Sequence, residues 1–391
     1  MELNREKNTK LKRMAWLMAL LVTAGTILGA WGCGARPGTG PGGGSHGGEV
    51  RDGEDDRLCV VTTIFPYYDF VRQIAGDRVK LKLIVPAGMD SHSFEPTPAD
   101  MIAMQEADVL VLNGGEMEHW VGQVLDSLDT SHMKILTMMD YVDAVEEEHV
   151  EGMEDAHEHG EDAHVHGGNA HEPGEDAHGP MEDGHGYMED AHAYGDHEGV
   201  PELHAYDDRD GHEMDIEYDE HIWTSPVNAQ AIVRIISQTL MEAAPEDSGR
   251  FKANADAYIE ELKDLDGRFR QVVAQGRNHM IVVADKFPFR YFADEYGLSY
   301  RAAFSGCSTD TEPSAKTIAY LIDKVKEEQI HGVYYLELSS HRTAEIISEE
   351  TGAVPLLLHS CHNVTRKQFD EGVTYLQLMN QNVENLRKGL E

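Results

Sequence analysis

The chain has 391 residues, with 71 acidic against 32 basic side chains and a formal charge of −39. That balance argues against a nucleic-acid partner, because like charges repel. The excess is local: from Asp143 to Glu220, 28 acidic residues face the single Arg209, which is −27 of the −39, so acidity says little about the folded remainder.

At the N-terminus Arg5, Lys7, Lys10, Lys12 and Arg13 precede the apolar run "MAWLMALLVTAGTIL", Met14–Leu28. Fifteen residues are short for a membrane span and fit a secretory signal core, placing a signal peptide at 1–32. "GAWGCG" then sets small residues at −1 and −3 before Cys33, similar to a bacterial lipoprotein processing site. Cys33 is therefore the expected lipidation site, and the Gly- and Pro-rich residues 33–57 are the tether. The chain is expected to be exported and held at the outer face of a bacterial cell membrane.

From Leu58, "LCVVTTIFPYYDFVRQIAGDRVKLKLIVPAG" reads as strand, helix and strand, and "PADMIAMQEADVLVLNGG" as helix, apolar strand and glycine turn. Cys59, inside the first run, reads as an inert core thiol. Residues 146–218 form an insert with histidines at 157, 164, 171, 178, 185 and 192, one every seventh residue. A coiled coil needs bulky apolar residues at two positions per heptad. Here alanine is the regular apolar residue and Pro173 and Pro180 interrupt, so a disordered ribbon is expected. Extended, seven residues span at most about 25 Å. Successive repeat histidines are thus too far apart to share an ion unless the chain loops back. Close pairs, His157 with His159 and His164 with His166, can form weak exchangeable metal sites with nearby carboxylates. His171, His178, His185 and His192 join them as weak capture residues.

After the insert, "SPVNAQAIVRIISQTLMEAAP" is a helix with Ile232, Ile235, Ile236 and Leu240 on one face. A long amphipathic stretch follows, with Phe251, Tyr258, Ile259, Leu262, Leu265, Phe269 and Val272 as its stripe. "HMIVVAD", "HGVYYLEL" and "AVPLLLHS" start a second alternating series. The fold class is α/β: two lobes, each with a mostly parallel sheet flanked by helices, joined by one long linking helix. The lobes are 58–245 and 279–391, the linker 246–278, and the cleft between lobes is the default ligand site.

Several boxes resemble the metal-binding lipoproteins of zinc and manganese ABC importers. "VPAGMDSHSFEPTPADM" is similar to that family's metal-binding box, placing His92 as a ligand with Ser91 where proline is usual. "DEHIWTSPVNA" is similar to the D-P-H-x-W box and places His221. "ADVLVLNGGEMEHW", "FRYFADEYGL" and "TEPSAKTIAYLIDKVKEEQI" match further segments in order, and such proteins often carry a His- and acid-rich insert before the second histidine. His119 and His132 lie in no ligand box and are read as structural.

The second lobe departs from that pattern. The resemblance puts the third ligand at Lys286, in "ADKFPFRYF", and a protonated ammonium has no lone pair. The fourth position falls at His359, in "AVPLLLHSCHNV", with Cys361 and His362 following within reach as further possible ligands. Three readings stay open. His359 joins His92 and His221, with water or Asp285 as fourth partner; or Cys307 or Cys361 supplies a thiolate; or Cys307 and Cys361 form a disulfide, as exported cysteine pairs often do. The favoured set is His92, His221 and His359 with the disulfide.

The resemblance implies a monomeric, non-enzymatic receptor that captures Zn²⁺ and delivers it to an ABC permease with a separate ATPase. Imidazole donors favour zinc over Mn²⁺, which prefers oxygen. The alternatives are an extracellular zinc buffer or adhesin, and a secreted metallohydrolase, which would need an open metal position and a general base. "HEHGE" and "HEPGE" lie in the ribbon, where spacing alone makes no such site.

Overall fold

The computed structural model describes residues 57–153, 217–306, 308 and 312–391; the expected signal peptide, Cys33, nearly all of the expected tether, Cys307 and the repeat histidines of the insert lie outside the described residues. In the first lobe the chain runs β1 (Leu58–Thr62), α1 (Phe65–Ala75), β2 (Val79–Leu83), α2 (Pro98–Gln105), β3 (Val109–Leu112), α3 (His119–Ser127) and β4 (Lys134–Thr137). All its strand pairs are parallel, in the order β2-β1-β3-β4. The central strand β3, VLVL, is buried at every position, as a strand covered by helices on both faces must be. Cys59 is only half-buried on β1.

The ends of the histidine ribbon meet. Glu146 and Tyr218 form an antiparallel bridge, and Asp219 N donates to Val145 O at 2.9 Å. The insert thus leaves and re-enters the fold at one point, directly before His221.

Two helices follow, α4 (Pro226–Ala243) and α5 (Ser248–Gln275). Ser225 caps α4 by accepting from Val227 N and Asn228 N. Ile232, Ile236 and Leu240 are buried on α4, whereas Ile235 is half-buried at the stripe's edge. With 28 residues, α5 is about 42 Å long. Its buried stripe runs from Phe251 to Val273, and exposed Gly267 is absorbed without ending the helix. A glycine on an exposed face costs only about 1 kcal/mol, which packing of the opposite stripe outweighs.

The second lobe repeats the scheme: β5 (Met280–Phe287), α6 (Arg290–Tyr296), β6 (Ser299–Ser305), α7 (Ala315–Glu327), β7 (Gly332–Tyr335), α8 (Arg342–Thr351) and β8 (Val354–Leu357). Its order, β6-β5-β7-β8, is again all parallel. Short α9 (Arg366–Asp370) leads into α10 (Tyr375–Leu390), which packs back along α5 and reaches α1. There the buried Asp69 accepts from Tyr375 N at 2.7 Å and pairs with Arg72. One hydrophobic core runs through both lobes, and a smaller one fills the outer side of the second sheet. Parallel sheets place their loops at the carboxyl ends of the strands, where α/β folds bind ligands.

Candidate metal centre

Three histidines arrive at the cleft from loops beyond such strand ends. His92 lies in the loop after β2, and His221 caps a short turn, Ile222–Thr224, before α4. His362 follows β8. The ring of His362 stands 6.2 Å from that of His92 and 5.8 Å from that of His221, centroid to centroid. All three line a cavity of about 450 Å³, with Asp285, Lys286 and Glu337 in its wall.

His359 does not join them. Its ring is buried away from the cavity, where Nδ1 accepts from Cys361 N at 3.0 Å and faces Glu337 at 3.5 Å. The cause is local. Cys361 adopts a left-handed φ of 61°, which turns the chain and delivers His362 instead. Of the expected set His92, His221 and His359, the first two meet in the cavity, and the ring that joins them there is that of His362.

Cys361 is no better placed as a ligand. It is fully buried, burial holds its thiol well above the usual range, and a thiol rather than a thiolate binds metal poorly. Cys361 is unbridged among the described residues, and the expected disulfide with Cys307 involves a residue that lies outside them. Asp285 and Lys286 both line the cavity, although neighbours on a regular strand face opposite ways. The pairing of β5 with β6 shifts register between Val283 and Lys286, which breaks that alternation. Asp285 accepts from Lys286 N, while Lys286 Nζ lies 3.9 Å from Asp90 on the opposite lobe.

The donors are electrostatically graded. Burial and then the nearby His221 hold His92 down at about 4, against an upward pull from Asp90. His362 sits well below the usual imidazole range, through burial first and then the charges that His221 and His92 would carry. Burial also pulls His221 down, but Asp219 outweighs it and raises His221 above the ordinary value. The Asp219 carboxylate accepts from His221 N at 2.8 Å and lies 3.4 Å from its Nδ1. A carboxylate behind a histidine fixes the ring and strengthens it as a donor.

Several supports of this site carried no signal of their own in the sequence. Trp223 packs against His221 and His362, and its Nε1 donates to Ser360 O at 2.9 Å, across the lobes. Asn363 laces the loops together, accepting from Gly88 N and donating to Pro86 O and Met89 O. Glu337 accepts from both the backbone and the hydroxyl of Ser360, holding the loop that carries His362. Gly306 has no room for a side chain: a Cβ would lie 2.9 Å from Phe287 O and 3.3 Å from the His221 ring. Its N–H donates to Glu147, at the foot of the ribbon. Asp219 and Trp223 stand inside the His221 box, so that box marks them; Glu147 and Asn363 do not stand out.

Among the described residues no three His, Cys, Asp or Glu side chains are yet close enough to hold an ion. Zinc–imidazole bonds of about 2.0–2.1 Å in a tetrahedral site would bring ring centroids to about 5 Å. The separations of the His362 ring from His92 and from His221, 6.2 and 5.8 Å, are thus about 1 Å wider than that.

Fold and site together define a two-lobed, cleft-type binding protein whose candidate donors come from both lobes. The model of the family described as "Zinc-uptake complex component A periplasmic" matches residues 60–389, and the chain belongs to that family. It is 30% identical over 339 residues to the high-affinity zinc uptake system protein ZnuA of Bacillus subtilis (strain 168), covering 87% of this chain and 89% of the relative. The zinc-binding lipoprotein AdcA of Streptococcus pneumoniae is also 30% identical, but the chain spans only 56% of its length. Among solved structures, the Zn(II)-bound ZnuA-like domain of Streptococcus pneumoniae AdcA matches at TM-score 0.60 and 26% identity, over 85% of this chain and 99% of that one. The metal-dependent lipoprotein YcdH from Bacillus subtilis matches at TM-score 0.62 and 26% identity, over 86% and 100%. No described helix is long and apolar enough to cross a membrane.

Proposed function

We propose that the protein is an extracytoplasmic receptor that binds Zn²⁺ in the cleft through His92, His221 and His362 and hands it to an ABC-type permease driven by a separate ATPase. The observation that carries this reading is the meeting of three buried or half-buried imidazoles from both lobes at the strand ends. Two of them, His92 and His362, are held in the neutral, donor-competent form well below neutral pH. Three imidazole nitrogens suit a borderline cation such as zinc better than oxygen-seeking manganese. Asp285 or water is the fourth partner, and closure by about 1 Å completes the shell. Cys33 carries the lipid that holds the protein, a monomer, at the outer membrane face. The histidine ribbon, whose stem residue Glu147 accepts from Gly306 N at the cavity wall, gathers zinc weakly.

The test is zinc uptake in a cell lacking the native receptor, supplied with the wild type or with His92→Ala. Growth and ⁶⁵Zn uptake are expected to depend on the wild-type cleft only when zinc is scarce. Full rescue by His92→Ala would overturn the proposal.

A further inference from the structure

The two nitrogens of His362 have different surroundings. Nε2 lies 2.7 Å from Ser91 Oγ, while Nδ1 has no hydrogen-bond partner among the described residues, in a ring that lines the cavity. Ser91 belongs to the first lobe and is 1% exposed, so this is a buried contact made across the cleft. The ring has little freedom to turn, because His92, His221 and Trp223 pack around it at 6.2, 5.8 and 5.3 Å. Its backbone is fixed as well: His362 N donates to Ser360 Oγ, which Glu337 holds in turn.

A neutral imidazole has one nitrogen with a lone pair and one N–H. Metal takes the lone pair, and the N–H of a ligating histidine is commonly held by a second group that sets ring and tautomer. Resting on the reading of His362 as a zinc ligand, we infer that Ser91 is a positioning residue: its hydroxyl accepts from His362 Nε2–H, so that Nδ1 is the nitrogen presented to zinc. A ligand of one lobe is thereby oriented by the other lobe before metal arrives. Serine replaces the proline usual in the His92 box, at the one place where a hydroxyl reaches a histidine that the second lobe supplies from a new position. Proline has neither a hydroxyl nor any other side-chain acceptor for this contact.

The inference fixes a sign. If Nε2 were instead the ligating atom, zinc would have to displace Ser91, and removing the hydroxyl would tighten binding. The test uses the full chain, with zinc affinity read by chelator competition and the site geometry by the visible spectrum of the Co²⁺-loaded protein. Ser91→Ala is expected to weaken zinc binding by about 10–100-fold and to change the Co²⁺ bands. Ser91→Thr, which keeps the hydroxyl, should restore both. The melting temperature of metal-free Ser91→Ala, unchanged, shows that the fold is kept. In a His362→Gln background, read with a weaker chelator, Ser91→Ala should have no further effect. Equal or tighter zinc binding by Ser91→Ala, or the same loss in the His362→Gln background, would overturn the inference. Wild-type affinity in His362→Gln itself would instead refute His362 as a ligand, a separate failure.

Discussion

The two lobes share one strand order but deliver their donors differently. In the first lobe His92 and His221 stand in the boxes that the family resemblance assigns to ligands, each braced from nearby: Asp90 accepts from His92 N, and Asp219 lies behind His221. In the second lobe Lys286 stands at the position the resemblance assigns to a ligand, and the proposed donor, His362, comes from a different loop, three places beyond His359. The comparison teaches that a parallel sheet fixes where donors converge, at the carboxyl ends of its strands, without fixing which loop supplies them.

The largest effect should come from the first lobe. His92→Ala or His221→Ala is expected to remove nearly all tight zinc binding, at least about 1,000-fold, since each deletes a proposed ligand that nothing else replaces. Chelator competition strong enough to keep the ribbon's weak sites empty measures this in the full chain. Retention of tight binding by either variant would break the first-lobe half of the comparison.

The second lobe is sharpened by a pair of variants. His362→Ala should weaken zinc binding by about 100-fold or more while leaving the metal-free protein folded. His359→Ala should leave zinc affinity within a few-fold but destabilise the fold by about 1–3 kcal/mol, because Cys361 N loses its buried acceptor. Reversed effects on affinity would put His359 back in the site.

Proton competition gives a third, smaller effect with a defined sign. His221 is raised above the ordinary histidine value, whereas His92 sits at about 4 and His362 lower than usual. As pH falls, His221 therefore takes a proton first, and cleft affinity should fall about tenfold per pH unit, one proton per zinc, until His92 titrates near 4. Asp219→Asn lowers the His221 pKa and should move the onset of that fall to lower pH, while weakening binding at neutral pH by about 10–100-fold. A slope of two or three protons from the outset, measured by pH-dependent titration, would contradict this grading.

Smallest of all, Lys286→Ala should tighten zinc binding by a few-fold, because it removes a cation facing His92 across the cleft. Weaker binding would mean that Lys286 serves the site.

Most of the architecture was legible from apolar runs and their periods. VLVL could only be a strand buried on both faces, and the stripe from Phe251 to Val272 could only be one long helix. The first-lobe candidates, His92 and His221, could be singled out because each sits in a box several residues wide. Sequence could not choose between His359 and His362, because the left-handed turn at Cys361 decides which of them reaches the cavity. Nor could sequence show that Asp285 and Lys286 share a wall, since that follows from an irregularity in the pairing of β5 with β6. Contacts such as Asn363 to Gly88 join residues 275 positions apart and leave no local trace.

The most direct test is a zinc-soaked crystal structure with anomalous data across the zinc edge. The account predicts one strong peak in the cleft, bonded at about 2.0–2.1 Å to His92, His221 and Nδ1 of His362, with His359 still turned toward Glu337. Zinc bound to His359 or to a cysteine sulfur, with His362 outside the shell, would contradict it.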